Sequence, residues 1–192
     1  TATLPAGLTK LSVSPFLLVP IVVLPKDLVS LKLLSGNAST KIIALDKLPP
    51  GLTELNFAFR QDFGAAEAKL LPPALTSTNA DFLTEAIPHL PYGLKNLTIK
   101  KNSQLHLWRG TGDSKLPPGL QLLNIPTLEF AQASALPPTL KELVVTNDTI
   151  LTPELAQILP RDLQVLSNTA NFSSPPNTTI SSAEVFRPLP RT

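Results

Sequence analysis

Cysteine is absent from this chain. Without a thiol there is no disulfide, no zinc-thiolate centre and no cysteine nucleophile. Methionine is absent too, and residue 1 is Thr, so the sequence reads as a processed product or a piece of something larger, without its targeting signal. Histidine is nearly absent: His89 and His106 lie in different segments, with no Ser or carboxylate set at a useful spacing. No catalytic residue and no metal site is expected from them. Charge of either sign is thin, 16 basic against 14 acidic residues for a net of +2, and no basic run exceeds Lys100-Lys101. That balance creates no field to draw nucleic acid or an anionic membrane.

Long hydrophobic runs are also missing. The longest candidate, from Phe16 to Leu24, is interrupted by Pro20 and is too short to cross a bilayer, so it reads as buried interior and membrane insertion is not expected. Gly110-Thr111-Gly112-Asp113 lacks the Gly-Lys-Ser/Thr end of a phosphate loop, and no G-x-S-x-G nucleophile elbow occurs. The chain is therefore expected to be no enzyme and to need no cofactor.

Proline is plentiful, with 21 copies, and its placement is periodic. The clearest unit is Leu48-Pro49-Pro50-Gly51-Leu52-Thr53-Glu54-Leu55-Asn56-Phe57, with the pattern L-P-x-x-L-x-x-L-x-Φ, where Φ is apolar. Copies begin at Leu4, Leu24, Leu48, Leu71, Leu90, Leu116, Leu136 and Leu159, at steps of 20, 24, 23, 19, 26, 20 and 23 residues. The fourth copy is degenerate, with Thr78 and Ala80 where large apolar residues belong, and the eighth ends in Asn168. Periodic proline argues for a repeated turn and against disorder. The alternation L-x-Φ makes a short strand with both apolar side chains on one face. Proline ahead of each strand fixes φ and ends the preceding segment. Glycine at the fourth place (Gly7, Gly51, Gly93, Gly119) suits a tight turn. Stacked units would close one apolar interior that no single unit can close alone.

These residues resemble the leucine-rich repeat family over roughly residues 4 to 171, with a sparse ladder of Asn102, Asp148 and Asn171. The L-P-x-x-L-x-x-L-x-V form looks like the short repeats of bacterial effector proteins and is similar to the FNIP-type repeats of amoebae and giant viruses. The resemblance implies an α/β fold: a right-handed solenoid of about eight repeats, with a parallel concave sheet and short irregular, extended or helical convex segments. This solenoid is expected over residues 1–171, with a Pro/Ser/Thr-rich extended tail or linker over 172–192. Among the return segments, Ala65 to Leu70 and Asp81 to Ile87 suit a helical turn or two. Thr152-Pro153-Glu154 starts a helix, with Thr as N-cap, Pro at N1 and an acid in the first turn. Lys41 to Leu45 and Gln104 to Trp108 look extended.

In such a fold the usual binding surface is built from the residues that alternate with the buried ones. That column is Ser12, Lys32, Asn56, Asn79, Thr98, Asn124, Val144 and Ser167. Lys32, Asn56, Asn79, Thr98 and Asn124 are the binding candidates; the column is mostly small, polar and uncharged, which suits a glycan or another hydrogen-bonding partner better than a tight protein hot spot. A second candidate is the contact group Tyr92, Trp108 and Arg109, holding the one Trp, around the longest repeat; the blander alternative is that Trp108 covers the edge of the core.

N-x-S/T sequons occur at Asn37, Asn96, Asn147, Asn171 and Asn177, and Asn171 conflicts with a buried ladder position. Asn37, Asn96, Asn147 and Asn177 are the glycosylation candidates. They point to a secreted or cell-surface protein, with a cytoplasmic location as the alternative. Three functions stay open: a recognition scaffold for protein or glycan, a structural subunit that self-associates through uncapped solenoid ends, and the substrate-selecting repeats of a larger effector.

Overall fold

The computed structural model describes residues 4–13, 23–34, 45–57, 62–79, 81–82, 84–99, 115–146 and 152–168. Each repeat enters its strand through the same tight turn. The proline of the motif accepts a hydrogen bond from the leucine three residues on, at 3.1–3.2 Å, in all eight copies from Leu8 N–Pro5 O to Leu163 N–Pro160 O. Pro50, Pro73, Pro118 and Pro138 occupy the second turn position, where a fixed φ is favourable. The glycine that follows is not demanded by the backbone. Gly51 has no positive φ, and a Cβ there would meet nothing within 4 Å. Asp27, Ala74, Thr139 and Asp162 fill the same place in other copies.

The turns deliver eight strands: β1 (Lys10–Val13), β2 (Ser30–Leu33), β3 (Glu54–Phe57), β5 (Ser77–Asn79), β7 (Asn96–Thr98), β8 (Leu122–Ile125), β9 (Glu142–Val145) and β10 (Val165–Asn168). They form one sheet in sequence order, every pair parallel. The register never slips: Leu11, Leu31, Leu55, Thr78, Leu97, Leu123, Leu143 and Leu166 lie side by side. Each junction opens with the same forked bond, as in Thr53 N and Glu54 N both donating to Val29 O at 2.9 and 3.1 Å. The sheet is not closed: β1 and β10 are its two edges.

The core lies behind this sheet. Leu28, Leu52, Leu75, Leu94, Leu120 and Leu140 of the turns are fully buried, together with Leu31, Leu55, Leu97, Leu123 and Leu143 of the inward strand row; Leu11 and Leu166, at its two ends, are partly buried. Burying one such side chain is worth about 1.5–3 kcal/mol, and each gains it only because the next repeat covers it. The architecture is that of a leucine-rich-repeat solenoid: one parallel sheet, with short and varied return segments.

Those return segments follow local chemistry. Helix α1 (Ala65–Ala68) begins where Gly64 N donates to the Glu67 carboxylate at 3.1 Å. Helix α2 (Phe130–Ala133), not anticipated from the sequence, begins the same way, with Glu129 N donating to Gln132 Oε1 at 2.9 Å. This bond helps satisfy a fully buried Gln132. Helix α3 (Pro153–Ile158) has the expected cap: Thr152 Oγ1 accepts from Leu155 N at 3.2 Å. Residues 81–87 meet the expectation of a helical turn or two only in their second half. Strand β6 (Asp81–Phe82) pairs in parallel with β4 (Asp62–Phe63) in a second small sheet, and a 3-10 helix follows over Thr84–His89. The ring of Pro88 would clash with the carbonyl four residues back in an α-helix, which works against that form. Residues 41–44 and 104–108 lie outside the described residues, and Leu45 opens a short 3-10 turn, Leu45–Lys47.

Candidate functional site: the open face of the sheet

The unbroken register turns the sequence column into a physical row. Ser12, Lys32, Asn56, Asn79, Thr98, Asn124, Val144 and Ser167 are consecutive neighbours across the eight strands. Parallel strands stand ~4.8 Å apart, so the row is a regular comb of side chains on the face away from the core. All five column candidates, Lys32, Asn56, Asn79, Thr98 and Asn124, are therefore brought together on one surface. Lys32 is exposed, and the other four are half-buried between their neighbours.

A second row, absent from the sequence reading, runs beside the first. It is Lys10, Ser30, Glu54, Ser77, Asn96, Leu122, Glu142 and Val165. The signal that finds it is the same period-two alternation counted two residues earlier. Charge on the two rows is segregated. Lys10 and Lys32 stand on β1 and β2, Glu54 on β3 and Glu142 on β9. Between them β5, β7 and β8 present Ser77, Asn79, Asn96, Thr98, Leu122 and Asn124, with no ion among them.

Part of this polar surface holds the sheet together. Ser30 is buried and donates from its hydroxyl to the Glu54 carboxylate at 2.8 Å, across one strand junction. Phe57 N donates to Asn79 Oδ1, which adds one hydrogen bond beyond the last paired residues of β3 and β5. The Asn79 amide oxygen accepts that bond, and its NH2 group is a donor. Behind the same short strand, Thr78 takes the place of an inward leucine. Its hydroxyl is buried and has no hydrogen-bond partner among the described residues.

Of the loop candidates, Tyr92 is in view at 81% exposure. It occupies the second turn position, in line with the exposed Pro73 and Pro118 of the neighbouring repeats, on the rim where strands begin. Trp108 and Arg109 lie outside the described residues, so their grouping with Tyr92 is not seen. Of the glycosylation candidates, Asn96 is exposed on the open face of β7, with Thr98 of its sequon in the adjoining row. Asn37, Asn147, Asn171 and Asn177 lie outside the described residues. His89 ends the 3-10 helix half-buried. Among the described residues no three His, Asp or Glu side chains converge to hold a metal, and no helix is long and apolar enough to cross a membrane.

No protein-family model matches the chain, and no curated protein matches it. A solved structure, described as that of CroV588, a novel circular LRR protein, is similar over 75% of this chain at 18% identity and a TM-score of 0.47. The chain spans 24% of the length of that protein.

Proposed function

We propose that this chain is a non-catalytic scaffold that recognises a protein or glycan partner through the open face of its sheet, within a secreted or cell-surface glycoprotein. The observation that supports this is the row from Ser12 to Ser167, aligned without a slip across eight strands. A backbone that repeats its geometry while varying one exposed position is how a solenoid presents a surface. The neutral centre on β5, β7 and β8 offers amide and hydroxyl groups that donate and accept, and no charge to be desolvated. The sequons support the secretory compartment. An N-glycan on Asn96 would stand on the binding face, so on this proposal Asn96 is bare.

The test is an array of neutral and charged oligosaccharides and extracellular protein domains, probed with the folded chain and with an Asn56→Arg, Thr98→Arg, Asn124→Arg variant. Three guanidinium groups on the comb add bulk and charge without touching the buried leucines. Loss of every signal in a variant with an unchanged circular dichroism spectrum is expected. Signals that survive the triple substitution would place recognition elsewhere.

A further inference from the structure

The rim on which the strands begin carries a row of its own. The residue after the motif proline is exposed in all eight turns. The turn accepts Ala6, Lys26 or Arg161 in that place, so the bend does not dictate what stands there. In five consecutive turns it is a ring: Pro50, Pro73, Tyr92, Pro118 and Pro138. Tyr92 is the middle one, at 81% exposure. The next residue is small in each of these turns, from Gly51 to Thr139. The Thr139 hydroxyl is turned back to donate to Pro118 O and Leu120 O at 2.6 and 2.9 Å. Exposed apolar groups gathered in one strip, rather than scattered singly, mark an interaction site. Proline loses no rotamer freedom on burial, and tyrosine is among the side chains that dominate interfaces.

The strip is bounded by charge on both sides. The turn before it carries Lys26-Asp27 and the turn after it carries Arg161-Asp162, all four exposed. Among the described residues none of the four forms an ion pair. Since the strands keep their register, the rim reads alike in both directions from Tyr92: two prolines, then a cation followed by an acid. At ~4.8 Å per strand the two charged turns stand about 29 Å apart, too far to act on each other through physiological salt. A uniformly acidic or basic partner would meet a repelling group at each end. A reversed second copy brings one cation and one acid to each.

We propose that two copies of this chain pair rim to rim and antiparallel, about a two-fold axis through the Tyr92 turn. Tyr92 then meets its own counterpart, Pro73 meets Pro118 and Pro50 meets Pro138. At each end Lys26 and Asp27 of one copy meet Arg161 and Asp162 of the other, and each long cationic side chain reaches sideways to the acid of the facing copy. The contact is isologous, so it closes at a dimer. It uses the rim and leaves the open face of the sheet to the partner proposed above.

Sedimentation velocity of the full chain over a wide concentration range tests the proposal. The wild type is expected to pass from monomer to dimer and to stop there. Tyr92→Asp sets two carboxylates against each other at the axis and is expected to leave a monomer with an unchanged circular dichroism spectrum. Arg161→Glu leaves three acids and one cation at each end. It is expected to weaken the dimer about three- to thirtyfold, since the two-fold axis makes the contact twice. Adding Asp27→Lys sets two cations of one copy against two acids of the other and is expected to restore dimerisation. Positions 27 and 161 are too far apart for that rescue to arise within one copy, and it tests the register even if the Tyr92 variant misfolds. A monomer at every concentration would overturn the proposal. So would assembly beyond a dimer, or a dimer indifferent to both Tyr92→Asp and the charge changes.

Discussion

At position 78 the molecule keeps a hydroxyl where seven other strands keep a leucine. Thr78 was legible as a break in the motif, but its fate was not. Whether β5 would drop out of the sheet depended on its neighbours, and β3 and β7 hold it in register from both sides. The ring of Phe57 meets that of Phe63 at 5.3 Å between centroids, and both rings are buried. Replacing Thr78 by Val keeps the shape and removes a buried group that lacks a partner among the described residues. That change is expected to stabilise the fold by about 1–3 kcal/mol in urea unfolding; a loss of stability would show that the hydroxyl is satisfied after all. Leu97 represents the opposite case. It is fully buried in the inward row, so Leu97→Ala is expected to cost about 2–5 kcal/mol. A cost below about half a kcal/mol would mean that the inward register is wrong.

Elements were legible in proportion to how local their causes are. The proline turns and the Thr152 cap need only neighbouring residues, and both stand in the structure as the sequence implies. Thr152→Ala removes the acceptor for Leu155 N and is expected to cost about 0.5–2 kcal/mol, read by thermal or chemical unfolding. The same helix start carries a pH signature. The Glu154 carboxylate accepts from its own backbone N–H and from the Thr152 hydroxyl, which hold its pKa below the ordinary 4.5. A group depressed in the folded state stabilises it above the ordinary value, and that advantage fades as pH falls through the lowered one. The Thr152→Ala penalty should therefore shrink in acid. The β4–β6 pair was invisible because it joins residues from two return segments, a contact that no local pattern announces. Helix α2 had a readable sign, Gln132 three residues after Glu129, but a helix of four residues leaves too little periodicity to raise it above its surroundings.

On the scale of the whole molecule, the period of the motif made the architecture readable. Each copy repeats one geometry, so eight weak signals add into one strong signal. The surface was readable only by halves. The column from Ser12 to Ser167 follows from the alternation within a strand, whereas the bonds that commit Asn79 and Ser30 depend on which strands become neighbours. The partner was not readable, since the repeated letters are the buried ones and chemistry lies in what varies between copies. The proposed scaffold joins a compartment to a face, and the sequons report on both. Intact mass with glycan mapping of the native protein is the direct measurement. Glycans on Asn37, Asn147 and Asn177 with Asn96 bare is the predicted result. A native protein without glycans, or one fully modified at Asn96, would contradict it.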